Sequence, residues 1–262
     1  MITLTSDLEE HYVAQMKAAI LSMNPSARIL DLSNTIPSFD VRKASFVMMS
    51  CMDLLPEGVV NVCVVDPGVG SERKGLIVEC EKMFFVGPDN GVFTLPLTKA
   101  PPRRIFAIDL SKVEALTGRK ISQTFHGRDV FAPVAALLDR GEDPARLGSP
   151  LDRIETLDYP AVEKVGDEVR GGIIYIDRFG NVVTNIPAKL LWPPGENVVV
   201  RIGGKTFPCT VGRCFSDVRP GSLVALVGSQ DTVEISVNMG NASKTVGGRE
   251  GDPIAIGKGE LH

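Results

Sequence analysis

A chain of 262 residues, 44% hydrophobic and 23% charged, is long enough for one large domain or two ordinary ones. At this length a fold buries roughly 70–75% of the unfolded surface, so no disulfide staples are required. The formal net charge of −4, with no basic run denser than "PPRR" at 101–104, argues against a nucleic-acid partner.

In chain order, "MITLTS" reads as a strand and Tyr12 to Met23 as a helix, followed by "ARILDLS" (27–33) as a second strand. Asp40 to Leu55 has helical spacing through Val41, Ala44, Val47, Cys51 and Leu55. "VVNVCVV" (59–65) is a nearly continuous β-branched run, as expected of a strand covered on both faces. "GLIVEC" (75–80) and "MFFVGPDNG" (83–91) predict a hairpin, "RIFAIDL" (104–110) a strand and "VFAPVAALLDRG" (130–141) a helix. Strands alternating with helices imply an α/β N-terminal domain with a largely parallel central sheet.

"GSPLDRIETLDYP" (148–160) reads as a linker, and helical periodicity disappears after it. "RGGIIYIDRFGNVVTNI", "NVVVRIGGKTFPCTV", "SLVALVGSQDTVEISVN" and "DPIAIGKG" are strands broken by glycine-rich turns. Gly203-Gly204 and "GSQD" (228–231) sit where hairpin turns belong. The expectation is an all-β C-terminal domain, a small barrel or sandwich, with boundaries at residues 1–155 and 156–262.

The five cysteines (51, 63, 80, 209, 214) are odd in number, lie mostly in apolar stretches and match no zinc spacing. They read as reduced packing residues, although Cys209 and Cys214 could in principle pair. The acidic N-terminus lacks the basic and apolar parts of a signal peptide, and no apolar run approaches the roughly 18 residues of a membrane span. A cytoplasmic protein with no membrane partner is expected.

Ligands of open α/β sheets bind beyond the carboxyl ends of the strands, which makes the polar residues there candidates. These are Ser6 and Asp7, Asp66, Asp89 and Asn90, and from the second domain Asp177, Arg178 and Asn181. Each is also an ordinary turn former. Of three histidines, His11 lies in an acidic stretch and His262 at the terminus, while His126 in "TFHGRDVFAP" precedes a helix. A structural histidine is the plain alternative there. Gly127 beside it permits close approach of a ligand, and Arg128-Asp129 is either a local ion pair or a helix start capped by Asp129. There is no dinucleotide fingerprint, P-loop or nucleophile elbow, so kinase, dehydrogenase and serine-hydrolase readings fall away.

Four segments in register, "VVDPGVGSERKG" (64–75), "FVGPDNGVF" (85–93), "TFHGRDVFAP" (124–133) and "IDRFGNVVTNI" (176–186), resemble the adenosine-forming S-adenosylmethionine hydrolases, relatives of the fluorinases and chlorinases. The resemblance runs from "ITLTSD" to "EISVNMGNA". It implies an α/β domain followed by a β-barrel-like domain, and a homotrimer with active sites between the N-terminal domain of one subunit and the C-terminal domain of the next. It implies attack of water on the ribose 5′ carbon, giving adenosine and L-methionine, with Asp66, Arg73 and His126 as the catalytic set. Asp7 falls on the position holding the ribose hydroxyls, and Phe39 on an aromatic of the nucleoside pocket or on ordinary core. Asp177 and Ser229 fall on positions gripping the methionine amino and carboxylate groups. Asn181 falls on an adenine contact, with backbone near Asn238 and Met239, and Glu234 faces either the substrate cation or solvent.

A sulfonium is already a good leaving group, so neither a metal nor an organic cofactor is needed. What remains is to hold one water in line and take its proton, for which Asp66 and His126 are candidates and Arg73 holds Asp66 in place as an anion. In the halogenases the aspartate of "DPGVG" is replaced by an uncharged residue, so its presence here favours water over halide. Two departures concern affinity: "LEEHYV" follows Asp7 where the family has Phe-Gly and a longer lead, and Gln230 stands where the halogenases carry arginine. The alternatives are a non-catalytic sensor of S-adenosylmethionine or adenosine, and a hydrolase of another 5′-substituted adenosine.

Overall fold

The computed structural model describes residues 1–258 and divides into two compact units, Met1–Leu157 and the chain from Asp158 onward. The first contains β1 (Ile2–Ser6), α1 (Glu10–Met23), β2 (Ile29–Ser33), α2 (Val41–Cys51), β3 (Val59–Val64), β4 (Gly75–Cys80) and β5 (Met83–Pro88). After these come α3 (Thr94–Lys99), β6 (Pro102–Ile108), α4 (Leu110–Thr117), α5 (Ala132–Asp139), α6 (Pro144–Leu147) and β7 (Gly148–Pro150). The sheet order is β2-β1-β3-β5-β4-β6-β7. The β2-β1-β3-β5 half is parallel, and β4, β6 and β7 continue it antiparallel.

Helices cover both faces because the central strands are apolar on both. Ile2, Leu4, Val60, Val62 and Val64 pack with Met16 and Ile20 of α1 and the apolar run of α5. Val59, Cys63, Val65, Leu76 and Phe85 face the other way, with Ala44 and Met48 of α2. Each fully buried aliphatic side chain contributes about 1.5–3 kcal/mol, so all six residues of β3, being buried, fix its place in the centre. The buried polar pair Thr3 and Asn61 is satisfied internally, Thr3 Oγ1 donating to Asn61 Oδ1 at 2.8 Å. Because Ser6 lies level with Val64, the chain leaves β1 at Asp7 and β3 shortly before Asp66 at one sheet edge.

Several elements differ from the sequence reading, the short helices α3 and α6 among them. The start of the presumed linker is strand β7, paired with β6 through Ala107 and Ile108; three residues are too few to show a period. Helix α4 also went unmarked, although Asp109 caps it by accepting from the backbone N–H of Ser111 and Lys112, and Gly118 (φ 65°) ends it.

The second unit contains β8 (Glu163–Val165), β9 (Glu168–Ile176), β10 (Val182–Pro187), β11 (Asn197–Ile202), β12 (Lys205–Val211), β13 (Leu223–Val227), β14 (Thr232–Val237), α7 (Ala242–Val246) and β15 (Pro253–Gly257). Its strands run β10-β14-β13-β12-β11-β15-β9, and the β9–β10 pairing closes the circle into a seven-stranded barrel, with β8 added beside β9. The barrel alternative therefore holds over the sandwich. Alternate residues such as Val198, Val200 and Ile202 of β11 fill the interior with Ile173, Ile235 and Ile254. Gly203 and Gly204, both at positive φ, form the β11–β12 turn, and residues 228–231 form the β13–β14 turn. All five cysteines are free thiols: Cys63, Cys80 and Cys209 are buried and Cys214 is exposed. No helix among the described residues is long and apolar enough to cross a membrane.

Candidate active site

At the carboxyl edge of the parallel strands, "DPGVGSER" folds back on itself so that its two ends meet. Ser71 Oγ donates to the Gly68 carbonyl at 2.7 Å, and Gly70 takes φ 76° with the Gln123 carbonyl pressed against it. The reversal brings Arg73 onto Asp66 as a two-pronged pair: Nε donates to Oδ1 at 2.8 Å and Nη2 to Oδ2. Both side chains are nearly buried, at 11% and 5% exposure, where an Arg–carboxylate fork is strongest. The same Nη2 reaches His126 Nδ1 at 2.9 Å. The guanidinium also lies 5.3 Å from the centre of the Phe131 ring, which His126 meets edge-on.

His126 is positioned by the wide π-turn Gly127–Phe131 that leads into α5, a geometry enriched at functional sites. Part of the space at Gly127 is taken by Val64 and Phe125 of the protein itself, so close packing already requires a glycine there. Asp129 is not a helix cap. Arg128 pairs with it at 2.6 and 2.8 Å, and its Oδ2 accepts from the Ser122 backbone N–H. Burial first, and then the Arg73 charge, push the His126 imidazole below its ordinary value of 6.5, so it is neutral. An arginine only donates, which makes Nδ1 the acceptor and leaves the ring proton on Nε2. That Nε2 is buried and has no hydrogen-bond partner.

Asp66 and His126 line a cavity of about 270 Å³ together with Asp7, Ser38, Phe39 and Phe125. Asp7 Oδ2 accepts from the Phe39 backbone N–H at 2.8 Å, holding Phe39 at φ 67° and 68% exposed. The core alternative for Phe39 is thereby excluded. Asp89 and Asn90 line no described cavity. Asp89 Oδ1 accepts from the Glu155 backbone N–H at 2.8 Å, and Asn90 Nδ2 donates to the Val65 carbonyl at 2.9 Å. Their side chains brace the ends of β3 and β5.

The barrel carries a separate cavity of about 750 Å³, lined by Asp177, Asn181, Ser229, Glu234 and Met239 among others. Asp177 organises the β9–β10 loop, accepting from the backbone N–H of Phe179 and Asn181 and from Asn181 Nδ2, each at 2.9 Å. Glu234 faces this cavity rather than solvent, with Ser236 Oγ donating to it at 2.9 Å. Burial, aided by Asp177, raises its pKa. Asn238 is turned away, its Nδ2 on the Val218 carbonyl at 2.8 Å, whereas Met239 is 88% exposed at φ 55°. Phe125 and Ser38 in the first cavity, and Arg213 and Phe215 in the second, escaped the sequence reading. Their only signal was an aromatic or a cation among turn residues. Among the described residues no group of three or more His, Cys, Asp or Glu could hold a metal ion.

The chain is similar to known proteins along nearly its whole length. Residues 2–148 match the family described as SAM hydroxide adenosyltransferase N-terminal domain, and residues 171–255 match its C-terminal domain. The chain is 39% identical to a Thermus thermophilus protein named (R)-S-adenosyl-L-methionine hydrolase, over 95% of each chain. It is 34% identical to one of the same name from Methanocaldococcus jannaschii, over 93% of this chain and 90% of that one. A crystal structure of an uncharacterized conserved protein from Thermotoga maritima superposes with a TM-score of 0.89 at 39% identity, covering 98% of this chain and all of that one.

Proposed function

The chain belongs to the SAM hydroxide adenosyltransferase family, and on that footing we infer that it hydrolyses S-adenosyl-L-methionine to adenosine and L-methionine. The observation that carries the reading is the Asp66–Arg73–His126 cluster at one wall of a cavity that also presents Asp7 and Phe39. Binding a nucleoside does not call for a buried carboxylate locked to an arginine; activating a water does.

Water attacks the ribose 5′ carbon from the side opposite sulfur. The O–C5′ bond forms as the C5′–S bond breaks, its electron pair neutralises the sulfonium to the thioether of methionine, and the water proton leaves to a base. Arg73 occupies one lone pair on each Asp66 oxygen, which leaves the others to accept from water. The His126 Nε2–H donates to the water oxygen and aims it, so Asp66 takes the proton. Orientation of this kind supplies up to about 7–11 kcal/mol in intramolecular models, and a positioned base about 10²–10⁴-fold more. No step requires a metal. A halide would meet the Asp66 carboxylate at close range and be repelled.

Asp7 accepts from the ribose diol, Phe39 lies against the nucleoside, and the barrel cavity takes the rest: Asp177, Glu234 and Ser229 at the amino-acid end, Asn181 and the backbone at Asn238 and Met239 at the base. Asp89 and Asn90 support the strand ends from behind. The sites form in a homotrimer, between the first unit of one subunit and the barrel of the next. Exposed apolar side chains at both cavities, Phe39 on one and Phe179, Phe215, Val227 and Met239 on the other, support this arrangement. The free cysteines fit a cytoplasmic protein. Following the names of the relatives, the substrate is the (R) epimer at sulfur.

The test is incubation with each sulfur epimer in oxygen-18 water, read by mass spectrometry, beside Asp66→Ala and His126→Ala. Adenosine labelled at its 5′ oxygen, formed with methionine from the (R) epimer and lost in both variants, is the expected result. Tight binding with no product would make the protein a sensor.

A further inference from the structure

We propose that Arg213 determines specificity by holding the α-carboxylate at the amino-acid end of the substrate, an assignment that rests on the hydrolase reading above. The barrel cavity is unevenly charged. Asp177 and Glu234 bring two carboxylates, and Arg213 is the one cationic side chain among the described residues lining it. The amino-acid end of S-adenosylmethionine carries an ammonium and a carboxylate together at neutral pH. Two acidic side chains suit the ammonium but repel the carboxylate, so a cation has to share the same space. Ser229 adds a hydroxyl donor to that space, while its neighbour Gln230 carries no charge.

The loop between β12 and β13 is built to present this arginine. Asp217 fastens its backbone, Oδ2 accepting from the Arg213 N–H at 2.9 Å and Oδ1 from the Cys214 thiol at 3.3 Å. The guanidinium itself makes only a long contact with Asp217, Nε to Oδ2 at 3.5 Å, and the side chain is 79% exposed. An anchored backbone with most of its guanidinium donors unused is a fork waiting for a planar anion. Where Asp66 answers Arg73 inside the first unit, nothing described in the barrel answers Arg213 as closely.

The experiment measures KM and kcat separately for wild type, Arg213→Gln and Arg213→Lys, with S-adenosylmethionine and with its decarboxylated analogue. Loss of a charge-assisted hydrogen bond predicts a KM about 10–100-fold higher for S-adenosylmethionine in Arg213→Gln. Because the carboxylate is remote from the 5′ carbon, kcat stays within about twofold. The decarboxylated analogue shows no such rise, and Arg213→Lys recovers part of the loss. An unchanged KM for S-adenosylmethionine in Arg213→Gln, or an equal rise with both substrates, overturns the Arg213 assignment and leaves the hydrolase reading standing. A wild-type protein that leaves both substrates intact overturns the hydrolase reading and the assignment with it.

Discussion

Arg73 holds two partners at once, and its geometry rather than its charge is what matters. Nε and Nη2 fork onto Asp66 while Nη2 also meets His126, an arrangement a single ammonium cannot reproduce. Arg73→Lys is therefore expected to lower kcat by about 10–100-fold, checked by steady-state kinetics on a variant of unchanged circular dichroism. His126 gives a pH prediction. Its folded pKa lies below the ordinary 6.5 through burial and the Arg73 charge, so the unfolded chain takes up the proton first as pH falls. Stability is lost downward from that ordinary value, and Tm should drop more between roughly pH 7 and pH 5 in wild type than in His126→Gln. The acid limb of kcat/KM should likewise lie below 6.5. Glu234 runs the other way: burial raises its pKa, so the unfolded carboxyl ionises first as pH rises and the charged form costs stability at neutral pH. Glu234→Gln is expected to raise Tm at pH 7 while raising KM, a pairing that thermal melts and kinetics together can refute.

At the level of elements, the turn from Asp66 to Arg73 and the π-turn after His126 set the cluster, and both depend on close backbone approach. At Gly70 a β-carbon would stand 2.4 Å from the Gln123 carbonyl, on a residue already at φ 76°. Gly70→Ala should cost at least the roughly 1–2 kcal/mol of a left-handed residue and, by moving Asp66 against Arg73, most of the activity. Gly58→Ala is the control. It has a similar φ of 78° but open space around it, so Tm should fall while kcat holds. The alternation of strands and helices was legible because the long elements carry their own patterns: β3 is apolar except for Asn61, and the apolar residues of α2 recur at helical spacing. β7 was not legible, since three residues owe their strand state to pairing with β6.

For the whole molecule, each cavity holds only part of what the proposed reaction asks for: the first presents Asp7, Asp66 and His126, and the second Asp177, Ser229 and Glu234. A shared site in a trimer predicts complementation. Asp66→Ala and Asp177→Asn, each inactive alone, should regain activity when their subunits are dissociated and reassembled together, and sedimentation should show three chains. A monomer, or mixtures that stay inactive, would rule the shared site out.

By itself the sequence determined an α/β first domain, an all-β second one and the strand ends where the candidate residues lie, because periodicity, turn residues and strand ends are local properties. Asp7, Asp66 and His126 could be singled out on those grounds. Only the tertiary structure decided what they touch. The His126 proton sits on Nε2 because an arginine fifty-three residues earlier in the chain donates to Nδ1. Asp89 is spent on the backbone of Glu155, sixty-six residues away, and Phe39 is turned outward by Asp7, thirty-two residues before it. Arg213 belongs to a cavity because the closed barrel gathers the loops after β9, β12 and β13 around one space. Such contacts join distant segments whose local patterns are independent of each other, so packing alone specifies them.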